Sequence, residues 1–400
     1  MFLHLRCGPW LRRLGAFGIR FIALPTCWRA MLSDVELIGA LQVHPEVGRQ
    51  GKRDRRHFPR ESTILSSAVL HATPTAILDR GMPQILSGAP VQARILENLK
   101  PRIQKLSRPP GLAVVLVGHD PASSIYVRSK IKACHELGIH SDSHEIPASV
   151  STEELLGLIH KLNEDPKIDG ILVQMPLPKH VDSRRVLEAV AADKDADGFH
   201  PNNVGYLVAN RPAPRSCTPA GIIELLKFYE IKIAGRNAVV LGRSDIVGKP
   251  MALMLLHENA TVTICHSRTE DVAGVCRRAD LLVAAIGRAG YVTSEFIAPG
   301  ATVIDVGINR ITEAAQAAAL GRAEEFAAKG KVVVGDVHPV DVERTAGAYT
   351  PVPGGVGPLT IAMLMSNTVE LAEKHLAASH EMTREATSHE PTHDSKTGAR

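Results

Sequence analysis

From Met82 onward the chain alternates between two kinds of hydrophobic pattern. Short, wholly apolar runs at 113–117 (AVVLV) and 170–174 (GILVQ) mark strands buried on both faces of a parallel sheet. Around them the spacing is helical. Residues 85 to about 107 repeat Val91, Ile95, Leu99, Ile103 and Leu106. Asp120-Pro121 supplies a cap and a first-turn proline for a helix running through Tyr126, Lys130 and Cys134 to a stop at Gly138. Ser151 and Glu154 form a capping box ahead of Leu155, Leu156, Leu158, Ile159 and Leu162. A second unit opens at Thr218-Pro219. Its strands are expected at 238–241, 261–265, 281–285, 302–305 and 331–334, with helices between the early ones in a βαβαβ series. The Ala-rich stretch 311–330 predicts a helical excursion between the last two strands. An amphipathic segment from 359 to about 376 closes the ordered chain, and the polar text after Ala378 predicts a disordered tail. The fold class is α/β.

Composition excludes more than it selects. The 400 residues are 44% hydrophobic, enough to fill ordinary globular cores, and no stretch reaches the span of a membrane helix. The net charge of +4 is unevenly placed: residues 1–81 hold 12 Lys/Arg against 6 Asp/Glu, a net +6, and the remainder carries −2. The basic excess therefore sits in the N-terminal stretch, whose Arg/Lys clusters match no recognisable nucleic-acid-binding module. A nucleic-acid partner is not expected, and a role of 1–81 in binding one is a third, disfavoured reading. Six cysteines without paired spacing predict free thiols in a reducing compartment, and no metal site. Residues 1–81, with no acid before Asp34, resemble an organellar presequence in composition. The preferred reading is that translation begins at Met82, with a cytoplasmic protein; a genuine presequence would make it organellar.

Two places carry candidate chemistry. The segment 238–256 (AVVLGRSDIVGKPMALMLL) reads as strand, turn and helix. Gly242 and Gly248 permit close approach of a ligand, and the free N–H groups of the new helix are expected to face a pyrophosphate. About twenty residues on, where an NAD site keeps a carboxylate, the text is Cys265-His266-Ser267-Arg268. A hydroxyl and a guanidinium suit the 2′-phosphate of NADP, and Arg243 adds a second cation. Elsewhere, Tyr126 and Lys130 lie four apart on one helix face, and a sheltered lysine is a residue type that serves as general base. The bland alternative is a lysine that extends to solvent beside a packing tyrosine. Gln174 ends a strand where open α/β sheets place ligands. Asp193, Asp195 and Asp197 crowd a short loop and read most simply as a solvated turn. Residues 350–358 (TPVPGGVGP) predict a stiff loop with close backbone approach to a planar ligand.

In order along the chain, SSIYVRSKIKAC, DGILVQMPLP, DKDADGFHP, SCTPAG, GRSDIVGKP, DVGINR and TPVPGGVGPLT resemble the bifunctional methylenetetrahydrofolate dehydrogenase/methenyltetrahydrofolate cyclohydrolase family over residues 82–378. The resemblance implies two α/β domains around a cleft. One is a catalytic, folate-binding domain (82–219 plus 356–378, the C-terminal helix returning to it), the other a Rossmann-like NADP-binding domain (220–355). The extension 1–81 and the tail 379–400 fall outside. It also implies a homodimer that oxidises 5,10-methylenetetrahydrofolate to the methenyl form with NADP and hydrolyses that to 10-formyltetrahydrofolate. Lys130 would be the acid/base, Tyr126 would stack on the aminobenzoyl ring, Gln174 would tune the lysine, and Asp197 would grip the pterin. Val173, Met175 and the loop Pro353, Gly354, Gly355, Val356, Gly357 would border the folate. Gly242, Arg243, Ser244, Ser267, Arg268 and Ile308 would touch NADP.

Three positions depart from the family's usual text: Met175 for leucine, Ser216 for proline and Leu359 for methionine. A dehydrogenase without cyclohydrolase activity is the near alternative, disfavoured because Tyr126, Lys130, Gln174 and Asp197 are all present. A non-catalytic folate- and NADP-binding protein is the other.

Overall fold

The computed structural model describes residues 82–388, so the readings placed on 1–81 and 389–400 lie outside the described residues. The first half runs β1 (Gln84–Ile85), α1 (Gly88–Gln104), β2 (Gly111–Val117), α2 (Pro121–Leu137), β3 (His140–Ile146), α3 (Thr152–Glu164) and β4 (Gly170–Val173). Three short helices follow: α4 (Ser183–Ala189), α5 (Pro201–Val208) and α6 (Cys217–Phe228). β2, β3 and β4 make a parallel sheet in the order β3-β2-β4. β2 is buried at every position and β4 likewise, as apolar runs in a covered parallel sheet require. β3 was not legible. Its text, HSDSHEI, has no apolar run, and it lies at the sheet edge. It forms because β2 offers a full ladder to pair with, from Gly111↔His140 to Val117↔Ile146.

In the second half come β5 (Asn237–Leu241), α7 (Gly248–His257), β6 (Thr261–Cys265), α8 (Val272–Cys276), β7 (Leu281–Ala284) and β8 (Thr302–Asp305). Beyond them lie β9 (Asn309–Ile311), α9 (Ala314–Ala319), α10 (Ala323–Lys329), β10 (Val332–Val334), α11 (Pro339–Thr345), β11 (Ala348–Tyr349) and α12 (Gly357–Ser388). The sheet order is β1-β11-β8-β7-β5-β6, parallel throughout. The strand expected at 331–334 is not part of it. β10 pairs antiparallel with β9, closing off the Ala-rich excursion as two helices split at Gly321. β1, first in the chain, joins the sheet of the second half beside β11.

α12 packs into both halves. Leu359 and Ala362 sit in the core beneath α6 and α7, whereas Leu364, Met365, Val369 and Leu371 sit in the core with β2 and α2. Its far end is stapled by Asp169, whose carboxylate takes both Arg108 nitrogens (2.6 and 2.7 Å), the Gly111 N–H (2.8 Å) and His375 (3.1 Å). Burial alone would raise the Asp169 carboxyl, but these donors outweigh it and hold it at about 2. The helix continues to Ser388, past residue 378, so the disordered tail expected from there is corrected over 379–388. Among the described residues no helix is long and apolar enough to cross a membrane.

Candidate active site

α2 starts as its sequence dictates: the Asp120 carboxylate caps the Ser123 N–H at 2.8 Å, with Pro121 in the first turn, and Gly138 ends it at φ 73°. This sets Tyr126 and Lys130 on one face. Lys130 is 5% exposed, and its Nζ donates to Gln174 Oε1 at 2.9 Å. Gln174 follows the end of β4, and its own amide N donates to the Met175 carbonyl at 2.7 Å, which aims Oε1 at the lysine. Asp197 lies close enough to feel the lysine charge. Burial pushes its carboxyl up to about 7, against the pull of Lys130 and with a further push from Asp195. Asp193, Asp195 and Asp197 are not one solvated turn. Asp193 is exposed, but Asp195 is buried and accepts from the Gly198 N–H (3.0 Å), the His200 N–H (2.7 Å) and Asn203 Nδ2 (2.9 Å). That carboxylate shapes the loop that presents Asp197.

Beside this cluster opens a cleft of about 640 Å³. Tyr126, Ile308 and the loop from Pro353 to Gly357 line it; Lys130, Gln174 and Asp197 do not. Burial makes the Tyr126 hydroxyl less acidic than usual. Ile125 and Ile308, about half exposed, give the cleft apolar walls. Val173 is in the core with α3, so its side chain faces away from the site, and the Val356 side chain is also largely in a core. Met175 is partly buried against the first of these cores.

Sequence reasoning missed two carboxylates here. Asp305, at the end of β8 and on the cleft wall, accepts from the N–H groups of Gly307 (3.0 Å), Asp336 (2.8 Å) and Val337 (2.9 Å). Asp336 accepts from the N–H groups of Ile286, Gly287 and Arg288 and from Asn309 Nδ2. Together they hold the loops after β7 and β8. A carboxylate at the end of a buried strand was the available signal.

The second half reverses its winding at β5, with β6 on one side and β7 on the other, so a crevice opens at the carboxyl end of β5. Gly242 stands there at φ 130°, where a Cβ would collide with the Ala285 carbonyl. The expected free N–H groups at the start of α7 are already paired: Val247 and Gly248 donate to Ser244 Oγ, both at 3.2 Å, and Lys249 donates to the Ser244 carbonyl. Instead, the N–H groups of Arg243, Ser244, Asp245 and Ile246 have no acceptor among the described residues. The free backbone donors therefore belong to the turn. Ser267 and Arg268 follow β6, both exposed, and neither Arg243 nor Arg268 has an ion-pair partner among the described residues. Backbone donors and two cations unpaired among the described residues, with no carboxylate at residues 265–268, fit a dinucleotide carrying a 2′-phosphate.

A switch-point crevice of this kind, set beside a buried lysine and an apolar cleft, defines a dinucleotide-dependent α/β oxidoreductase. Residues 86–197 match the family model for the catalytic domain of tetrahydrofolate dehydrogenase/cyclohydrolase, and residues 216–376 match the model for its NAD(P)-binding domain. The chain belongs to the tetrahydrofolate dehydrogenase/cyclohydrolase family. It is 62% identical over 301 residues to the bifunctional protein FolD of Solibacter usitatus, covering 73% of this chain and 98% of that one. A crystal structure of the bifunctional enzyme FolD from Campylobacter jejuni is 44% identical with a TM-score of 0.66, over 73% of this chain and 99% of that one. The methylenetetrahydrofolate dehydrogenase-cyclohydrolase of Trypanosoma brucei, solved with NADP cofactor and an inhibitor, is 36% identical with a TM-score of 0.67, over 74% and 98% of the two chains.

Proposed function

We propose that the chain oxidises 5,10-methylenetetrahydrofolate to 5,10-methenyltetrahydrofolate with NADP⁺ and hydrolyses the product to 10-formyltetrahydrofolate. The observation that carries this reading is the buried Lys130–Gln174 pair beside Asp197, next to the apolar cleft, in a chain of this family. NADP⁺, when bound, supplies the acceptor for the hydride. That step asks the protein for orientation and no nucleophile. Tyr126, Ile308 and residues 353–357 supply the cleft walls that would hold a planar folate, Tyr126 against its aminobenzoyl ring. Asp197 would accept from the pterin N–H groups. Met175 and the backbone of Val173 would border the folate beside Gln174.

Hydrolysis needs a group that moves protons. Water adds to the methenyl carbon while Lys130 Nζ takes one of its protons. The same proton then goes to N5 as the C–N5 bond breaks, and the remaining hydroxyl proton passes to solvent water as the C=O forms, leaving the formyl group on N10. Gln174 offers Nζ a neutral oxygen, which holds the amine in place with or without the extra proton. Gly242, Arg243 and Ser244 would meet the phosphates, Ser267 and Arg268 the 2′-phosphate, and Ile308 the cleft side of the cofactor.

A homodimer is part of the same reading. Among the described residues β6 has β5 as its one neighbour in the sheet, and Ile264 on it is 41% exposed, an edge that a second copy can cover. The cysteines at 134, 217, 265 and 276 are free and buried, which supports a reducing compartment, the cytoplasm. The test is a coupled assay of the full chain, following NADPH and methenyl absorbance together. Formation of NADPH with transient methenyl absorbance is expected. Absence of NADPH formation from methylenetetrahydrofolate sinks the proposal, and NADPH formation with no hydrolysis leaves a dehydrogenase alone.

A further inference from the structure

The start of α6 makes a hydrogen bond that has no part in the chemistry above. Ser216 is the N-cap of α6 and is 1% exposed, yet its hydroxyl does not cap its own helix. An N-cap serine ordinarily accepts from an N–H of the first turn. Here Oγ–H donates instead to the carbonyl of Ile246, 30 residues on, at 2.5 Å. The N–H of the same peptide unit, that of Val247, donates to Ser244 Oγ at 3.2 Å. One peptide of the dinucleotide turn is thus held at both ends, by Ser244 from within and by Ser216 from outside. Holding it sets where the unpaired N–H groups of residues 243–246 point.

The other side of Ser216 is tied to the loop carrying Asp197. Gly198, at φ 73°, lies so close that a Cβ on it would meet the Arg215 carbonyl carbon at 2.5 Å and the Ser216 nitrogen at 2.7 Å. Cys217 Sγ donates to the Ala196 carbonyl at 3.5 Å, and Asn367 Nδ2 bridges the Ala196 and Arg215 carbonyls at 2.8 and 2.9 Å. Residues 215–217 are therefore backed onto 196–198, while the Ser216 hydroxyl reaches the dinucleotide turn. The backbone does not itself demand serine. Its φ of −50° is one that proline adopts, and its N–H has no acceptor among the described residues. What serine adds is the hydroxyl.

We propose that Ser216 is a positioning residue that sets the dinucleotide turn against the Asp197 loop and thereby raises affinity for NADP⁺. The inference rests on the functional reading above. It is tested by calorimetric NADP⁺ titration and by kinetics of both reactions, in the wild type and in Ser216→Ala, Ser216→Pro and Ser216→Thr. Pro stiffens the backbone and Ala leaves it as it is, but both delete the hydroxyl. Each is expected to weaken NADP⁺ binding about three- to tenfold, the worth of one such hydrogen bond. KM for NADP⁺ should rise in step, with kcat and the hydrolysis of added methenyltetrahydrofolate held within about twofold. Thr, which keeps the hydroxyl, should restore binding. Wild-type affinity in Ser216→Ala overturns the inference, and so does rescue by Pro but not Thr. Equal loss of both activities in all three variants, with a lowered Tm, also overturns it by making the role merely structural. Failure of the wild type itself to bind NADP⁺ overturns the functional reading as well, whereas a wild type that binds it no more tightly than Ser216→Ala and Ser216→Pro overturns the inference alone.

Discussion

In the Lys130 cluster the working groups are side chains held by side chains: an amine on a glutamine oxygen, a carboxylate at the edge of the lysine's field, and a second carboxylate shaping the loop. In the turn from Gly242 to Gly248 they are backbone N–H groups, aimed by one glycine at positive φ and by two serine hydroxyls, with Arg243 and Arg268 at the rim unpaired among the described residues. On the proposed function, the first arrangement moves a proton at one atom and the second grips a charged molecule over many atoms. Damage should therefore concentrate in one residue in the first region and spread across several in the second.

The sharpest way to break this contrast is Lys130→Met. Hydrolysis of methenyltetrahydrofolate should fall by about 100-fold or more, the scale of a lost general acid/base, with NADP⁺ affinity unchanged by titration. Retained wild-type hydrolysis refutes the assignment of Lys130. Next in size is Gly242→Ala, whose Cβ would press on the Ala285 carbonyl at a φ that costs a side chain about 1–3 kcal/mol. A lower thermal midpoint and loss of NADP⁺ binding are expected, with the hydrolysis of added methenyl substrate surviving at a temperature where the fold holds.

A smaller effect should come from the rim. Arg268→Ala is expected to raise KM for NADP⁺ by about tenfold while leaving the poorer use of NAD⁺ almost unchanged. Comparable rates of the wild type with both cofactors would remove the basis for that reading. The mildest expectation concerns pH. Asp197, raised to about 7, is protonated below neutrality and ionised above it. Only the carboxylate accepts two pterin N–H bonds, so kcat/KM for the folate should climb as pH rises through 7. Asp197→Asn should flatten that climb; an unaltered profile would mean that another group titrates.

The two regions also differ in how far they could be read beforehand. Residue identity and spacing exposed Tyr126, Lys130 and the absence of a carboxylate at residues 265–268, because a helical face and a strand end are local properties. Local spacing could not show that Gln174 lies within a hydrogen bond of Lys130, 44 residues away, or that Asp195 is buried while Asp193 is exposed. It placed the free N–H groups at the start of α7 rather than in the turn, since the capping role of Ser244 depends on the path of the turn. It also overlooked β3, whose polar text becomes a strand only when β2 is there to pair with it.

By itself, then, the sequence determined the alternating α/β architecture, the buried strands, the cap of α2 and the chemical character of both sites, because those follow from periodicity and side-chain type over a few residues. The resemblance in its motifs pointed to the family that the comparisons established. Tertiary structure alone decided that residues 84–85 join the far sheet, that β10 leaves it for β9, that α12 serves two cores, and that Ser216 reaches Ile246. Each of these depends on which surfaces meet after the chain has closed over long separations, and no local pattern carries that information.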